Sequence, residues 1–468
     1  MKGAILMNTI IQQLFEKIIK ENTTNMEELF TGHKDISLYI SATKQMLDQV
    51  GAKLIKTVLE MGDEIIRESN TRKKSWYIQR RNDPKTLLTT FGAVDYERTY
   101  YKHKKKSEYA YLSDHSLGID PHDRMDLSYQ SELINQSLDL SYEKSSRNVS
   151  KEVLVSKQTV MNSIRNLGIV GNDSVSIKEK NKIVPVLYIE ADEDHVAMQD
   201  GSNKQIKLIY VHEGKELVSP GRAKLINKRY FTGSQMNSED LWLEVANYID
   251  QAYKVDQIET IYLSGDGAKW IKEGLNWIPK SKYVLDYFHL SKYIKKATAH
   301  LPHFTSDLWD SIHCHDKKRV RELFKQILEE TEKETKKTAV QDSRRYILNN
   351  WVGIINRYDT SYIGCSAEGH ISHILSARLS SRPLGWSIEG ADQMAYLRVY
   401  RENGGEIYDA LKQKKENNKK QERIMKLDQR IMKKKMNQVV NESINNITLL
   451  NTGKRTWARE YLKSIRGA

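Results

Sequence analysis

Apolar residues in the first 70 positions recur every three or four residues: Ile10, Ile11, Leu14, Phe15, Ile18 and Ile19, then Met46, Leu47, Val50, Leu54, Val58 and Leu59. That period predicts helices over 1–70, with stripes that serve as core or as helix-pairing surface. At residues 72–81, RKKSWYIQRR, basic and aromatic side chains mix, and residues 87–101, LLTTFGAVDYERTYY, predict strands on either side of Gly92. Lys102, Lys104, Lys105 and Lys106 follow directly. A basic hairpin suits the DNA backbone; lysines on a strand edge equally guard against edge-to-edge aggregation.

Residues 141–168 predict helix, short turn, helix, with Ser156 as N-cap of the second helix and Gly168 as its stop. Val160, Ile164 and Leu167 give that helix an apolar stripe, which leaves Lys157, Gln158, Thr159, Asn162 and Arg165 outside. Polar side chains near a helix N-terminus suit a recognition helix in a DNA major groove, although an ordinary helical hairpin shows the same stripe. The polar, aperiodic residues 171–182, GNDSVSIKEKNK, predict a domain boundary.

From residue 184 the period changes again. VPVLYIEAD reads as an apolar strand ending in acid, HVAMQ and IKLIYVHEG as further strands, residues 238–252 as a helix, ETIYLSGDGA as a strand ending at Asp266, and KYVLD as another strand. Strands followed by strand–helix alternation predict an α/β domain, a mixed sheet with helices on its faces. Residues 290–365 predict a helical insertion, and a further helix runs from Ser366 to about Ser380. The expected organisation is a helical region over 1–70, a DNA-binding region over 71–170, an α/β domain over 183–400 and a basic helical region over 401–468.

The chain of 468 residues carries a formal charge of +13, the balance of a protein built for a polyanion. Residues 412–435 hold eleven Lys or Arg against three acids, a net of +8, with Ile424, Met425, Leu427, Ile431 and Met432 interspersed, and predict a long basic helix. Two cysteines, Cys314 and Cys365, imply no disulfide framework. No secretion signal and no membrane span are expected, which fits a cytoplasmic, nucleoid-associated protein. No Gly-rich phosphate loop and no Gly-x-Ser-x-Gly elbow is present. The histidines around Cys314 match no common zinc spacing.

Three acids stand in informative places. Asp192 ends the first α/β strand, with Asp194 as the alternative; Asp266 ends a later strand in Ser264-Gly265-Asp266-Gly267. Ligand sites of open α/β sheets lie at the carboxyl ends of strands. Glu368, with Glu389 as the alternative, opens a helix whose stripe at 368, 371, 375 and 379 turns it toward the sheet. Converging carboxylates repel unless a cation neutralises them, and Mg²⁺ accepts such hard oxygen ligands while keeping waters for phosphate chemistry. Asp286 and His289, before the insertion, are auxiliary candidates.

Asp192, the Gly-Asp-Gly-Ala of 265–268, the Asp-x-x-His of 286–289 and Glu368 after a helical insertion together resemble the DDE transposases. The segments GAVDYERTYY, YIEADEDHVAMQ with SGDGAKWI, and EGHISHILSARLSSRPLGWS are similar to the ISLre-type insertion-sequence transposases, over about residues 70 to 400. The resemblance implies an RNase H-like fold and metal-dependent cleavage and strand transfer at element ends. It also implies Asp192, Asp266 and Glu368 as catalytic ligands of two Mg²⁺ or Mn²⁺ ions, and a homodimer or larger assembly on double-stranded DNA. Arg378, Arg382 and Trp386 are expected to grip the DNA end by guanidinium–phosphate contacts and base stacking. A nuclease that cuts without joining and a non-catalytic DNA-binding protein are the alternatives.

Overall fold

The structure, a computed structural model, describes residues 2–149, 154–220, 222–382, 385–421, 457 and 460. The N-terminal stripes become two helices, Lys2–Phe30 and Ile36–Glu68. Asp35 caps the second by accepting from Leu38 N. Behind it stands an antiparallel sheet of β1 (Trp76–Thr89), β2 (Gly92–His103) and the short β3 (Tyr109–Ala110). Leu59 packs on Leu87, Val94 and Tyr96, and buried Asp63 accepts from Thr99 N, Thr99 Oγ1 and Ser113 Oγ.

Helices Leu127–Ser137, Tyr142–Val149 and Lys157–Leu167 follow. Ser156 caps the last by accepting from Thr159 N, and Gly168 ends it at φ +77°. Within residues 171–182, Asn172 and Val175 are bonded to the strand Arg229–Gly233. Asn172 is buried and exchanges hydrogen bonds with the backbone of Thr232, and Arg229 donates to the carbonyls of Asn172 and Val175. Side-chain amides that satisfy an edge strand leave no reason for a polar stretch to stay loose.

The central sheet takes β4 (Val186–Ala197), β5 (Asn203–His212), β8 (Arg229–Gly233), β9 (Thr260–Gly265) and β10 (Ser281–Leu285); β6 (Gly214–Ser219) and β7 (Arg222–Ile226) form a separate ribbon. The order is β10-β9-β4-β5-β8. β4, β5 and β8 run antiparallel in turn, whereas β9 and β10 run parallel to β4. This is a mixed α/β architecture, as the pattern predicts. HVAMQ is not a separate strand: pairing of Asp192↔Leu208 through Ala197↔Asn203 carries β4 past Asp192 to Ala197.

One face of the sheet presents Leu187, Ile189, Ala191, Ile209, Ile261 and Leu263 to Trp242 and Val245 of the helix Ser238–Ala252. The insertion helices, from Tyr287–Thr298 to Trp351–Ile355, join the same core through Ile294, Phe324, Ile347 and Ile354. The opposite face carries Tyr188, Tyr262 and Val284. Residues 407–421 are helical, and the remainder of the basic stretch 412–435 lies outside the described residues. Among the described residues no helix is long and apolar enough to cross a membrane.

Candidate functional site

The strand register builds the site. In the parallel pair β4–β9, Tyr188 faces Tyr262 and Glu190 faces Ser264; in β9–β10, Ser264 faces Val284 and Gly265 faces Leu285. One step further along the same face stand Asp192, Asp266 and Asp286, at the carboxyl ends of the parallel part of the sheet. Asp286 N donates to Gly265 O at 3.0 Å, which fixes the third member of this row. A Cβ on Gly265 would come within 2.8 Å of Ala191 O, so only glycine lets β9 approach β4 here. Gly267, at φ +93°, turns the chain directly after Asp266.

The helix that opens at Ala367 lies along β4 on this face and is pinned at both ends. Ser366 donates through N and Oγ to Glu190, and Ser380 Oγ donates to Asp194 Oδ1 and Oδ2 at 2.8 and 2.9 Å. Asp192 sits between these two pins, and a π turn over Ser372–Ser376 lets the helix span them. Glu368 does not lie on the buried stripe as expected. Ala367, Ile371, Ile374 and Leu375 are the buried residues, and Glu368, at the margin of that arc in the first turn, is exposed. Asp194, the alternative to Asp192, is occupied by Ser380, and Glu389, the alternative to Glu368, is exposed in the first turn of Ile388–Glu402.

Electrostatics single out Asp192. Burial pushes its carboxyl up to about 7, and the charges of Asp266 and Glu368 push the same way, against the amide of Glu193 and the imidazole of His289. His289 Nδ1 lies 3.1 Å from Asp286 Oδ2. Burial disfavours its charged form, but the bond to Asp286 and the charges of Asp192, Asp286 and Asp266 outweigh burial and raise its pKa. Asp286 precedes the helix Tyr287–Thr298, yet its side chain makes no cap and serves His289 instead. Asp266 Oδ1 accepts from Ala268 N at 2.7 Å, and Tyr346 of the insertion donates to Asp266 O. Among the described residues no three His, Cys, Asp or Glu side chains are already drawn around a common point that would hold a metal ion.

Beneath the row lies a buried network that the sequence pattern does not reveal. His212 Nε2 lies 3.0 Å from Glu190 Oε1, Tyr210 donates to Glu190 Oε2, and Cys365 Sγ stands 3.3 Å from the same oxygen. Burial opposes ionisation of Glu190, but the partner imidazole and the donors Tyr210 and Ser366 overcome it and bring the carboxyl down to about 2. Glu190 alternates with apolar residues in a strand buried on both faces, so nothing in its own neighbourhood distinguishes it; His212 lies 22 residues further on and in no motif, and only the β4–β5 pairing joins them.

The residues expected to touch DNA fall into different environments. Lys104 and Lys105 are exposed at the open end of the β1–β2 hairpin, not at its tight turn, where Lys104 Nζ lies 4.9 Å from the Tyr77 ring centroid. Lys157, Gln158 and Arg165 are exposed on Lys157–Leu167. Arg165, Arg378, Arg382 and Trp386 line one cavity of about 250 Å³ together with Tyr142. Within it Arg382 is exposed. Arg378 is buried, donates from Nε to Ser137 O at 2.9 Å and lies against the Trp386 ring. Trp386 is buried and donates its indole N–H to Leu379 O at 3.0 Å. The expectation of an exposed guanidinium and an exposed stacking indole therefore does not describe Arg378 and Trp386: Arg378 is buried with its Nε bonded to Ser137, and Trp386 is buried with its indole N–H bonded to Leu379.

A model of an uncharacterised protein family, UPF0236, matches residues 34–434. Three UPF0236 proteins of Caldanaerobacter subterraneus subsp. tengcongensis are each 43% identical to this chain. One aligns over 100% of this chain and 95% of its own length. The other two align over 98% of this chain and 99% of theirs, and their printed names join four and eleven locus labels respectively.

Proposed function

We propose that this chain, which belongs to the UPF0236 family, is a DDE-type DNA transposase that cleaves and rejoins strands at the ends of an insertion sequence. The observation that carries the reading is the register: Glu190↔Ser264 and Leu285↔Gly265 set Asp192, Asp266 and Asp286 in one row, with the helix bearing Glu368 pinned along β4. The strand order, three antiparallel strands flanked by two parallel ones, supports an RNase H-like sheet.

The donor set fits a hard divalent cation in kind. Asp192 is held near 7 by burial, with the charges of Asp266 and Glu368 adding to it and the imidazole of His289 offsetting only part of it. Repulsion among the carboxylates favours separation, and positive charge between them would reverse it. Asp192, Asp266 and Glu368 would hold Mg²⁺ or Mn²⁺, which supplies Lewis-acid stabilisation of the phosphodiester and an activated oxygen nucleophile. Asp286 orients His289 toward the row, where its proton stands available to a leaving oxygen. The relative carried under eleven locus labels in one organism lends support of a different kind, since repeated copies of a coding sequence are what transposition leaves.

The test is an assay of end cleavage and joining with the DNA that flanks the coding region, in Mg²⁺. Joining by the wild type that is lost in Asp266→Asn, with DNA binding retained, is the expected result. Cleavage without joining would make the protein a nuclease, and binding alone would make it a non-catalytic DNA-binding protein.

A further inference from the structure

The helix Ile36–Glu68 has three faces, and two of them are occupied. Ala52, Ile55 and Leu59 face the β1–β2 sheet, and Asp63 is bonded to Thr99 and Ser113. A second face, on which Met46 and Val50 are buried, meets the helix Lys2–Phe30, with polar contacts such as Lys17–Gln49 and Tyr39–Asn22 at its margins. On the third face Ile36, Ile40, Leu47, Leu54, Val58 and Ile65 are 40–65% exposed. At 100° per residue these six side chains fall within an arc of roughly 40°.

That geometry identifies the kind of partner. A helix that packs on a globular core shows an apolar face of about 100° or more, whereas a stripe this narrow is the seam of a coiled coil. Ile40, Leu47 and Leu54 stand seven residues apart, and Val58 and Ile65 continue the line after the four-residue step that 3.6 residues per turn requires. Thr43 and Met61 share the line, and no charged residue interrupts it. It runs for about 44 Å at 1.5 Å per residue. Each half-exposed aliphatic offers on the order of 100 Å², so the stripe with its margins approaches the roughly 800 Å² per partner of a stable interface. A straight aliphatic seam is its own complement under a two-fold axis.

We infer that Ile36–Glu68 pairs with the same helix of a second copy of this chain, burying the Ile40–Leu47–Leu54 seam. The inference stands apart from the proposed chemistry and holds or fails without it. The experiment is sedimentation equilibrium of the full-length protein at micromolar concentration. It compares the wild type, Leu47→Glu/Leu54→Glu and Leu47→Lys/Leu54→Lys, with far-UV circular dichroism of each. Both substitutions lie on the solvent side, so helix content is expected to be unchanged. The wild type is expected as a dimer, each variant as a monomer with self-affinity weakened roughly 100-fold or more, and an equal mixture of the two variants as a dimer again. A monomeric wild type, a variant that stays dimeric, or a mixture that stays monomeric would overturn the inference.

Discussion

His212 Nε2 lies 3.0 Å from Glu190 Oε1 in a site closed to solvent, one step along β4 from Asp192. The pair matters for position, because Glu190 also takes the amide and hydroxyl of Ser366 and so sets where the helix bearing Glu368 begins.

Glu190 makes a pH-dependent contribution to stability. Its folded value, about 2, lies below its ordinary 4.5. The contribution is therefore fully present above about pH 4.5 and is lost as pH falls toward 2; by linkage it is on the order of 3 kcal/mol. Urea unfolding of the wild type is expected to weaken more steeply through that window than unfolding of Glu190→Gln. Parallel curves would show that the carboxylate does not hold the helix.

Asp192 has the opposite sign. Its folded value, about 7, lies above its ordinary 3.8. Its contribution is complete below pH 3.8 and disappears as pH rises through 7. Without divalent ions the melting temperature is expected to drop as pH rises from about 5 to 7, the part of that window clear of the Glu190 transition, and Mg²⁺ to restore more of it at about pH 8 than at about pH 5. Asp192→Asn should flatten both trends; an undiminished Mg²⁺ increment in that variant would remove Asp192 from the ion site.

Arg378 and Arg382 are expected to separate. Arg378 is buried and donates to Ser137 O, so Arg378→Ala should cost about 2 kcal/mol of stability. Arg382 is exposed in the same cavity, so Arg382→Ala should leave stability alone and reduce the salt slope of DNA binding by about one. Binding isotherms at several salt concentrations, with thermal melts, decide it: an unchanged slope for Arg382→Ala refutes the phosphate contact.

Gly265→Ala tests the spacing of the aspartate row. The added Cβ would meet Ala191 O and Ile271 at 2.8 Å. Forcing β9 from β4 should cost about 1–3 kcal/mol and depress Mg²⁺-dependent stabilisation with it. A variant as stable and as responsive to Mg²⁺ as the wild type would show that the close approach is dispensable.

The strands, the insertion and the places of Asp192, Asp266 and Asp286 were legible because apolar runs ending in acid or glycine mark strand ends in any α/β sheet. The length of β4 was not, since Asp192 and Asp194 break the apolar run while backbone pairing with β5 continues to Ala197. The stripe at 368, 371, 375 and 379 predicts a buried Glu368, whereas it stands exposed at the margin of the arc, because spacing from a helix stripe is a poor guide in the first turn. Arg378 and Trp386 depart from expectation for a different reason. Their chemistry suits phosphate and bases, but only the tertiary structure shows that both are buried, with Arg378 Nε bonded to Ser137 and the Trp386 indole N–H to Leu379.

If Asp192, Asp266 and Glu368 gather around a divalent cation, as proposed, iron-directed cleavage of the chain will map them together. Fe²⁺ in place of Mg²⁺, with ascorbate and peroxide, cuts the backbone beside the bound ion. Cuts near residues 192, 266 and 368, suppressed by excess Mg²⁺ and by Asp266→Asn, are expected. Cuts confined to other segments, or unaffected by Asp266→Asn, would contradict the account.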